Sequence, residues 1–407
     1  MWRLLSKDSE YADGITERRL LMRIQVARKD SNGPSPSDSR REEATTIQEG
    51  KNNTIENTVL TAQTQNSNEN RSSSIVQQEE ATSIEIDSQD NIYSVAFLVD
   101  GNLIVSADVE GKIRRWRVQD GNEVGAPMDV GSCVLSMAVS RDGKWVISGT
   151  NTGQVTVWNN AESHEEVTEF KGHSDWVCAV DVSPNGSKIA TGSGLTAHVW
   201  SLSTGHRLLG PFTHDFSLGA VKFSPDGRLF ATATCHYKSV RIYDSHDGHL
   251  VDFPIQVNWL YNGSLAWTSD NKQLFALSGN GNINCLDVST GITLSKWPIH
   301  SNNDPRCIAL ASNGIFLAAF DKSSISFWDT TTHKQIGSII SHTRTISSVA
   351  ISANYDVAVG GERKITLWNL LDILPSHYFD SASVSKGSLH ETPSSSQATL
   401  LAATEFP

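Results

Sequence analysis

Histidine, cysteine and carboxylate side chains are the residues of this sequence that could act as nucleophiles, general bases or metal ligands. The cysteines are five in number, widely spread and without the CxxC spacing of a zinc site, so they suit neither a metal centre nor a disulfide framework. We therefore expect reduced, mostly buried thiols. They are Cys133, Cys178, Cys235, Cys285 and Cys307.

Histidines recur at comparable positions ahead of apolar, alternating segments, namely His173, His214, His300 and His342. None of them has a neighbouring Glu or His at the spacing that two ligands of one metal ion need. The phosphate-binding pattern GxxxxGK[ST] and a paired nucleophile and base are also missing from the sequence. The sequence therefore predicts no catalytic residue, no metal site and no cofactor.

The composition points to a globular protein that does not bind nucleic acid. The chain has 407 residues, of which 38% are hydrophobic, and a net charge of −12 without a long basic run. No apolar run approaches the roughly 18 residues that span a bilayer, and Met-Trp-Arg-Leu-Leu at the start is too short for a signal-peptide core. We expect an intracellular protein, cytoplasmic or nuclear, that is neither secreted nor inserted in a membrane.

Both ends of the chain are poor in large apolar residues. Residues 1–80 are predicted to be largely disordered, because the stretch from about 30 to 80 is rich in Ser, Asn, Gln, Thr and Glu. An amphipathic pattern at 14–29 fits either a short partner-docking helix or a solvated segment. The tail at 377–407 is rich in Ser and Thr and is also predicted to be disordered.

Between these tails, residues 82–376 contain an internal repeat of alternating apolar strands. Each unit closes on a large side chain, and these residues are Trp116, Trp158, Trp200, Tyr243, Leu286, Trp328 and Trp368. Their spacings of 42, 42, 43, 43, 42 and 40 residues match a four-stranded propeller blade. An Asp-Gly or Asn-Gly pair, or a close variant, follows the first strand of each unit and predicts a tight hairpin. Thr82–Ile86 alternates cleanly ahead of the first unit and is expected to close the last blade as its outer strand.

Particular residues resemble a WD repeat: Gly172-His173, then Val180–Gly186, then Val199-Trp200. Phe223–Gly227 and Phe327–Asp329 repeat the likeness elsewhere in the chain. The resemblance implies an all-β fold, a seven-bladed propeller of four-stranded antiparallel blades. The units are also similar to the WD-repeat regions of fungal proteins, including the vegetative incompatibility proteins of filamentous fungi.

In this family a histidine, a hydroxyl, a turn aspartate and the closing tryptophan form a hydrogen-bonded network within a blade. The resemblance assigns these structural roles here to His173, Thr191 and Trp200, and a closing role to Trp116, Trp158, Trp328 and Trp368. The turn aspartate is missing, because the aligned positions hold Glu110, Thr152, Asn280 and Lys322. Incomplete networks predict a propeller of moderate stability.

One position of the first strands is small in five units, where it is Ala96, Ala138, Ala266, Ala309 and Ala350. The same position holds Asp181 and Lys222 in two adjacent units. We expect these opposite charges to face one another as a buried or half-buried pair that locks two blades together, with a functional site in the channel as the alternative.

Propellers of this family bind partners on the face that carries the entrances to the inner strands. The resemblance places on that face Tyr93, Leu135, Trp176, Cys178, Tyr261, Arg306 and Ser347, with Glu110, His236, Tyr237 and Lys322 from the turns. Trp176, Tyr261 and Arg306 are the predicted anchors, because Trp, Tyr and Arg contribute most to interfaces. An alternative is that each aromatic residue only packs under a loop.

The leading hypothesis is a non-catalytic scaffold or adaptor that binds proteins or peptides, as a monomeric propeller within a complex. A sensor module that recognises a ligand, as in the fungal arrays, is the second hypothesis, and the missing nucleotide-binding motif limits such a chain to the recognition part. An enzyme built on a propeller is the third, and the alanine-lined inner position argues against it.

Overall fold

The computed structural model describes residues 83–160, 166–234, 239–251, 255–256, 260–278, 281–299 and 307–379. The predicted helix at 14–29 and the remainder of the N-terminal region to residue 80 lie outside the described residues, as does the tail from residue 380. The described chain forms seven four-stranded antiparallel sheets, so the predicted all-β propeller of seven blades is confirmed.

Each blade contains four strands, which lie side by side in order from the centre of the ring to its rim. The inner strands are β2 (Ile92–Phe97), β6 (Val134–Val139), β10 (Val177–Val182), β14 (Leu218–Phe223), β18 (Leu260–Trp267), β22 (Cys307–Leu310) and β26 (Ile346–Ile351). The second strands are β3 (Leu103–Asp108), β7 (Trp145–Thr150), β11 (Lys188–Ser193), β15 (Leu229–Thr234), β19 (Gln273–Ser278), β23 (Phe316–Phe320) and β27 (Asp356–Gly361).

The third and outer strands complete the blades. The third strands are β4 (Lys112–Arg117), β8 (Gln154–Asn159), β12 (Thr196–Ser201), β16 (Ser239–Asp244), β20 (Asn282–Asp287), β24 (Ser324–Asp329) and β28 (Lys364–Asn369). The outer strands are β5 (Met128–Asp129), β9 (Glu166–Lys171), β13 (Arg207–Thr213), β17 (Ile255–Gln256), β21 (Thr293–Pro298), β25 (Gln335–Ser341) and β1 (Ser83–Asp87). Two short 3₁₀ helices follow β28, at Leu370–Asp372 and Ser376–Tyr378.

The ring is closed by strands from both ends of the described chain. Blade 7 takes its outer strand β1 from the N-terminal side, with Ser83 opposite Trp368 and Asp87 opposite Lys364. Inner strand β2 of blade 1 contacts β26 of blade 7, as each inner strand contacts its neighbour around the ring. The predicted closure is confirmed, and β1 covers the edge of β28 that would otherwise be open.

Apolar side chains fill seven layers, each between two neighbouring blades. The closing residue of a blade packs onto the preceding blade: Trp158 lies in one cluster with Val105 and Ile113 of blade 1. Trp116 lies likewise with Ile365 of blade 7. The repeat therefore requires a large residue at the end of each third strand, because that side chain fills the space between two sheets.

Polar side chains stabilise the hairpins between first and second strands. Ser140 Oγ donates to Asp142 Oδ1 at 2.6 Å, and Ser224 Oγ donates to Asp226 Oδ1 at 2.6 Å. In two of these turns the second position is not glycine, and there Asn271 and Tyr355 adopt positive φ angles of 60° and 65°.

The described chain continues three residues past the predicted boundary at 376. The ring of Phe379 lies with its centroid 4.7 Å from that of Tyr355.

Candidate functional site

The upper face is defined here as the face that carries the entrances to the inner strands and the turns between second and third strands. Tyr93, Leu135, Cys178 and Ser347 each occupy the second position of an inner strand and are partly exposed. The fold therefore brings these four predicted residues to one level around the mouth of the channel.

Further predicted face residues lie in the loops. Trp176, directly before β10, is partly exposed, and its backbone N–H donates to Asp175 Oδ1 at 2.8 Å. Glu110 and Lys322 are exposed in turns between second and third strands. Tyr261 belongs to β18, but its side chain lies outside the described part of the structure, as do Arg306, His236 and Tyr237.

Sequence reasoning missed two exposed apolar residues of this face. Leu195, in the turn between β11 and β12, is 49% exposed, and Phe216, in the loop between β13 and β14, is 39% exposed. A leucine directly after Gly194, in the two-residue turn between β11 and β12, is the signal that could have indicated the first of them.

The predicted pair of opposite charges is present at the channel. Lys222 Nζ lies 2.7 Å from Asp181 Oδ1, and the Asp181 carboxylate raises the pKa of the lysine. The carboxylate is buried, whereas the Lys222 side chain is 49% exposed to the channel. The second carboxylate oxygen accepts the backbone N–H of Phe223 at 2.8 Å, so Asp181 joins β10 to β14 through two bonds.

Serine side chains of the inner strands join other blades in the same way. The Val95 N–H donates to Ser348 Oγ at 3.1 Å, which joins blade 1 to blade 7. Ser136 Oγ donates to the carbonyl of Val177 at 3.2 Å, which joins blade 2 to blade 3. Asp181 thus joins blades 3 and 4 through a hydrogen bond to the neighbouring backbone, as serine hydroxyl groups join other blades of the ring.

The predicted histidine network of blade 3 is formed. His173 Nε2 lies 2.7 Å from Thr191 Oγ1, and Trp200 Nε1 donates to the same hydroxyl at 2.7 Å. Gly172 precedes this histidine because a side chain there would overlap Trp200: an added Cβ would lie 1.9 Å from Trp200 Cη2. Burial lowers the pKa of His173 to about 4, so the ring is neutral at physiological pH.

Blades 4 and 7 depart from this network. In blade 7 His342 Nε2 pairs with Thr366 Oγ1 at 3.0 Å, a hydroxyl from the third strand where blade 3 uses the second. His214 of blade 4 is buried without a hydrogen-bond partner on either ring nitrogen. The predicted histidine at 300 lies outside the described residues.

Acidic groups cap two of the turns where the sequence comparison found the family's aspartate missing. Asp108 Oδ1 accepts the N–H groups of Glu110 and Lys112, at 3.0 and 2.8 Å. Asp321 Oδ1 accepts those of Ser323 and Ser324, at 2.8 and 2.7 Å. These carboxylates precede the aligned positions by one or two residues, which is why the alignment did not identify them.

Burial raises the pKa of Cys133, Cys285 and Cys307 and so disfavours the thiolate form of these three cysteines. Cys285 is buried, and Cys133, Cys178 and Cys307 are partly buried. For Cys133 the pKa rises to about 12. A protonated thiol is a poor nucleophile, so the geometry favours a structural role.

The described residues contain neither a candidate metal centre nor a helix that could cross a membrane. No three His, Cys, Asp or Glu side chains there are grouped so as to hold a metal ion. No helix among the residues that the structure describes is long and apolar enough to cross a membrane.

Comparison with known proteins identifies the repeat. The WD40 family model, described as WD domain, G-beta repeat, matches residues 82–117, 129–159, 164–201 and 206–244. The chain therefore contains WD repeats in its first four blades. The four matches correspond to the first four repeats along the chain, and blades 5 to 7 repeat the same strand plan.

Curated WD-repeat proteins are similar over part of their length. WD repeat-containing protein 1 of Rattus norvegicus is 26% identical over 219 residues, which cover 50% of this chain and 34% of that protein. Protein groucho of Drosophila melanogaster is 32% identical over 153 residues, which cover 34% of this chain and 19% of that protein. Eukaryotic translation initiation factor 3 subunit I of Neurospora crassa is 26% identical over 186 residues, 41% of this chain and 51% of that protein. The chain spans between about a fifth and a half of the length of these relatives.

Proposed function

We propose that this protein is a non-catalytic scaffold or adaptor that binds protein or peptide partners on its upper face. WD-repeat propellers in general serve protein interaction, and the relatives fit that general role. The observation that carries the proposal is the upper face itself, where partly exposed Tyr93, Leu135 and Trp176 surround the channel mouth. Large apolar and aromatic side chains on a rigid frame provide interface energy at low entropic cost.

The channel supports the non-catalytic part of the proposal. Five of the seven equivalent inner positions hold alanine, and the two charged positions satisfy one another. Burial lowers the pKa of His173 and His214, so both rings are neutral. His173 is hydrogen-bonded within blade 3, and His214 is buried in blade 4, so the two histidines share no reaction centre. The described cysteines form no disulfide with one another, which supports an intracellular location, cytoplasmic or nuclear, as part of the same proposal.

The test is an affinity capture from extract of the source cells, with immobilised full-length protein and mass spectrometry of the retained proteins. The upper-face variant carries Tyr93→Ala and Trp176→Ala, and the matched control carries Val99→Ala and Leu371→Ala, two exposed positions of the opposite face. We expect specific proteins to be retained by the wild type and the control but lost with the upper-face variant. Equal retention by all three contradicts the assignment of the face, and retention by none favours the sensor hypothesis.

A further inference from the structure

Three apolar side chains gather on the upper face over blades 3 and 4. Leu195 is 49% exposed, Phe216 is 39% exposed and Trp176 is partly exposed. We name these three residues the blade 3–4 patch. Exposed apolar residues scattered singly need no explanation, but three on neighbouring loops of one face do.

Backbone hydrogen bonds hold the three segments of the blade 3–4 patch together. The N–H of His214 donates to the carbonyl of Leu195 at 2.8 Å, and that of Leu218 donates to Gly194 at 2.8 Å. The loop that carries Phe216 is therefore tied at both ends to the turn that carries Leu195. Ser193 Oγ donates to the carbonyl of Asp175 at 2.7 Å, which fixes the loop of Trp176 against the same turn. The patch is thus preorganised, which lowers the entropic cost of binding.

Carboxylates border the blade 3–4 patch. Asp175 is exposed next to Trp176, and the Asp215 side chain, next to Phe216, is 81% exposed. Arg241 forms an ion pair with Asp215 at 3.4 Å and also donates to the carbonyl of Thr213 at 2.7 Å. Because the two carboxylates outnumber this one guanidinium, the border carries a net negative charge.

We propose that the blade 3–4 patch is the docking site for a partner protein segment that presents one or two large apolar side chains flanked by Lys or Arg. This inference rests on the proposed function and adds the position and chemistry of the partner. The apolar side chains of the segment cover Leu195 and Phe216, and its cationic groups lie beside Asp175 and Asp215. Charge complementarity of this kind selects among partners and accelerates association.

The test selects peptides from a phage-displayed library of random dodecapeptides on the immobilised full-length protein. Enriched sequences are then synthesised and titrated by fluorescence anisotropy against the wild type, the patch variant Leu195→Ser/Phe216→Ser, and Asp215→Asn. The matched control is Ile292→Ser/Leu294→Ser, which removes two exposed apolar side chains from the rim of blade 5. A second upper-face variant, Tyr93→Ala/Ser347→Ala, probes blades 1 and 7. Circular dichroism confirms that each variant is folded.

We expect the enriched peptides to combine Trp, Phe or Leu with Lys or Arg. Their affinity falls about tenfold or more in the patch variant, a few-fold in Asp215→Asn, and further as salt rises, and it stays unchanged in the rim control. Affinity lost only in the variant of blades 1 and 7, or enrichment of acidic peptides, overturns this inference and leaves the proposed function intact. Absence of enrichment, or binding that no upper-face substitution weakens, overturns both.

Discussion

Residues of the same type have opposite energetic effects in different blades. His214 is 2% exposed and neither of its ring nitrogens has a hydrogen-bond partner. His342 is also buried, but its Nε2 pairs with Thr366 and its Nδ1 with the backbone of Arg344. An unsatisfied buried polar group costs free energy, whereas a paired one contributes to stability. The first histidine therefore weakens blade 4, while the second strengthens blade 7.

We predict that His214→Leu raises the free energy of unfolding by about 1 to 2 kcal/mol, because it removes an unpaired polar ring. The matched change His342→Leu lowers it by about 1 to 3 kcal/mol, because Thr366 loses its partner inside the protein. Urea denaturation at pH 7.5, followed by tryptophan fluorescence, measures both. Equal destabilisation by the two changes contradicts the unpaired state of His214.

The same substitution has a signature in the pH dependence. Burial lowers the pKa of His214 to about 4, and His173 and His198 have the same lowered pKa. In the unfolded chain these rings bind protons below about pH 6.5, whereas in the folded chain they stay neutral down to about pH 4, so stability is lost as the pH falls through this range. Between pH 7 and 5, His214→Leu is expected to reduce the loss of stability by about 1 to 2 kcal/mol.

At the scale of elements, inner strands of neighbouring blades are joined by hydrogen bonds between a side chain of one strand and the backbone of the other. Alignment of the repeats was sufficient to predict the pair of Asp181 and Lys222, because equivalent positions of adjacent strands must lie side by side. It could not predict the bond from Phe223 to Asp181, since that bond depends on the side-chain rotamer. Exposure of Leu195 and Phe216 was equally beyond the sequence, because it depends on how two loops of different blades pack.

We predict that the backbone bond of Asp181 contributes more than its ion pair. Asp181→Asn keeps an acceptor for Phe223 and is expected to cost less than about 1 kcal/mol, because the Lys222 side chain is half exposed. Asp181→Ala leaves the Phe223 N–H unpaired and is expected to cost about 2 to 3 kcal/mol. Chemical denaturation of both variants, with Lys222→Ala as control, measures the difference. Equal losses in Asp181→Asn and Asp181→Ala would assign the stabilisation to the charge.

At the scale of the whole molecule, the ring depends on a strand that is remote in sequence from its partner. The spacing of the closing residues predicted seven blades, and the alternation of Thr82–Ile86 predicted their closure, because both follow from strand periodicity. In the structure Ile86 of β1 is 4% exposed and packs with Trp116 and Ile365, so one side chain contacts both blade 1 and blade 7. Ile84, on the same strand, is 38% exposed.

Because Ile86 is buried and Ile84 is exposed on the same strand, substitutions at these two positions test how much β1 contributes to closing the ring. Ile86→Ala removes buried methyl groups at the junction of the first and last blades, and we expect it to lower the free energy of unfolding by about 2 to 4 kcal/mol. Ile84→Ala, the matched control, is expected to cost less than about 1 kcal/mol because its side chain already contacts solvent. Weakened pairing of β1 also exposes the edge of β28, so Ile86→Ala is expected to self-associate with rising concentration in light scattering, unlike the control. A ring closed mainly by the contacts of β2 with β26 would instead tolerate both substitutions equally and remain monomeric.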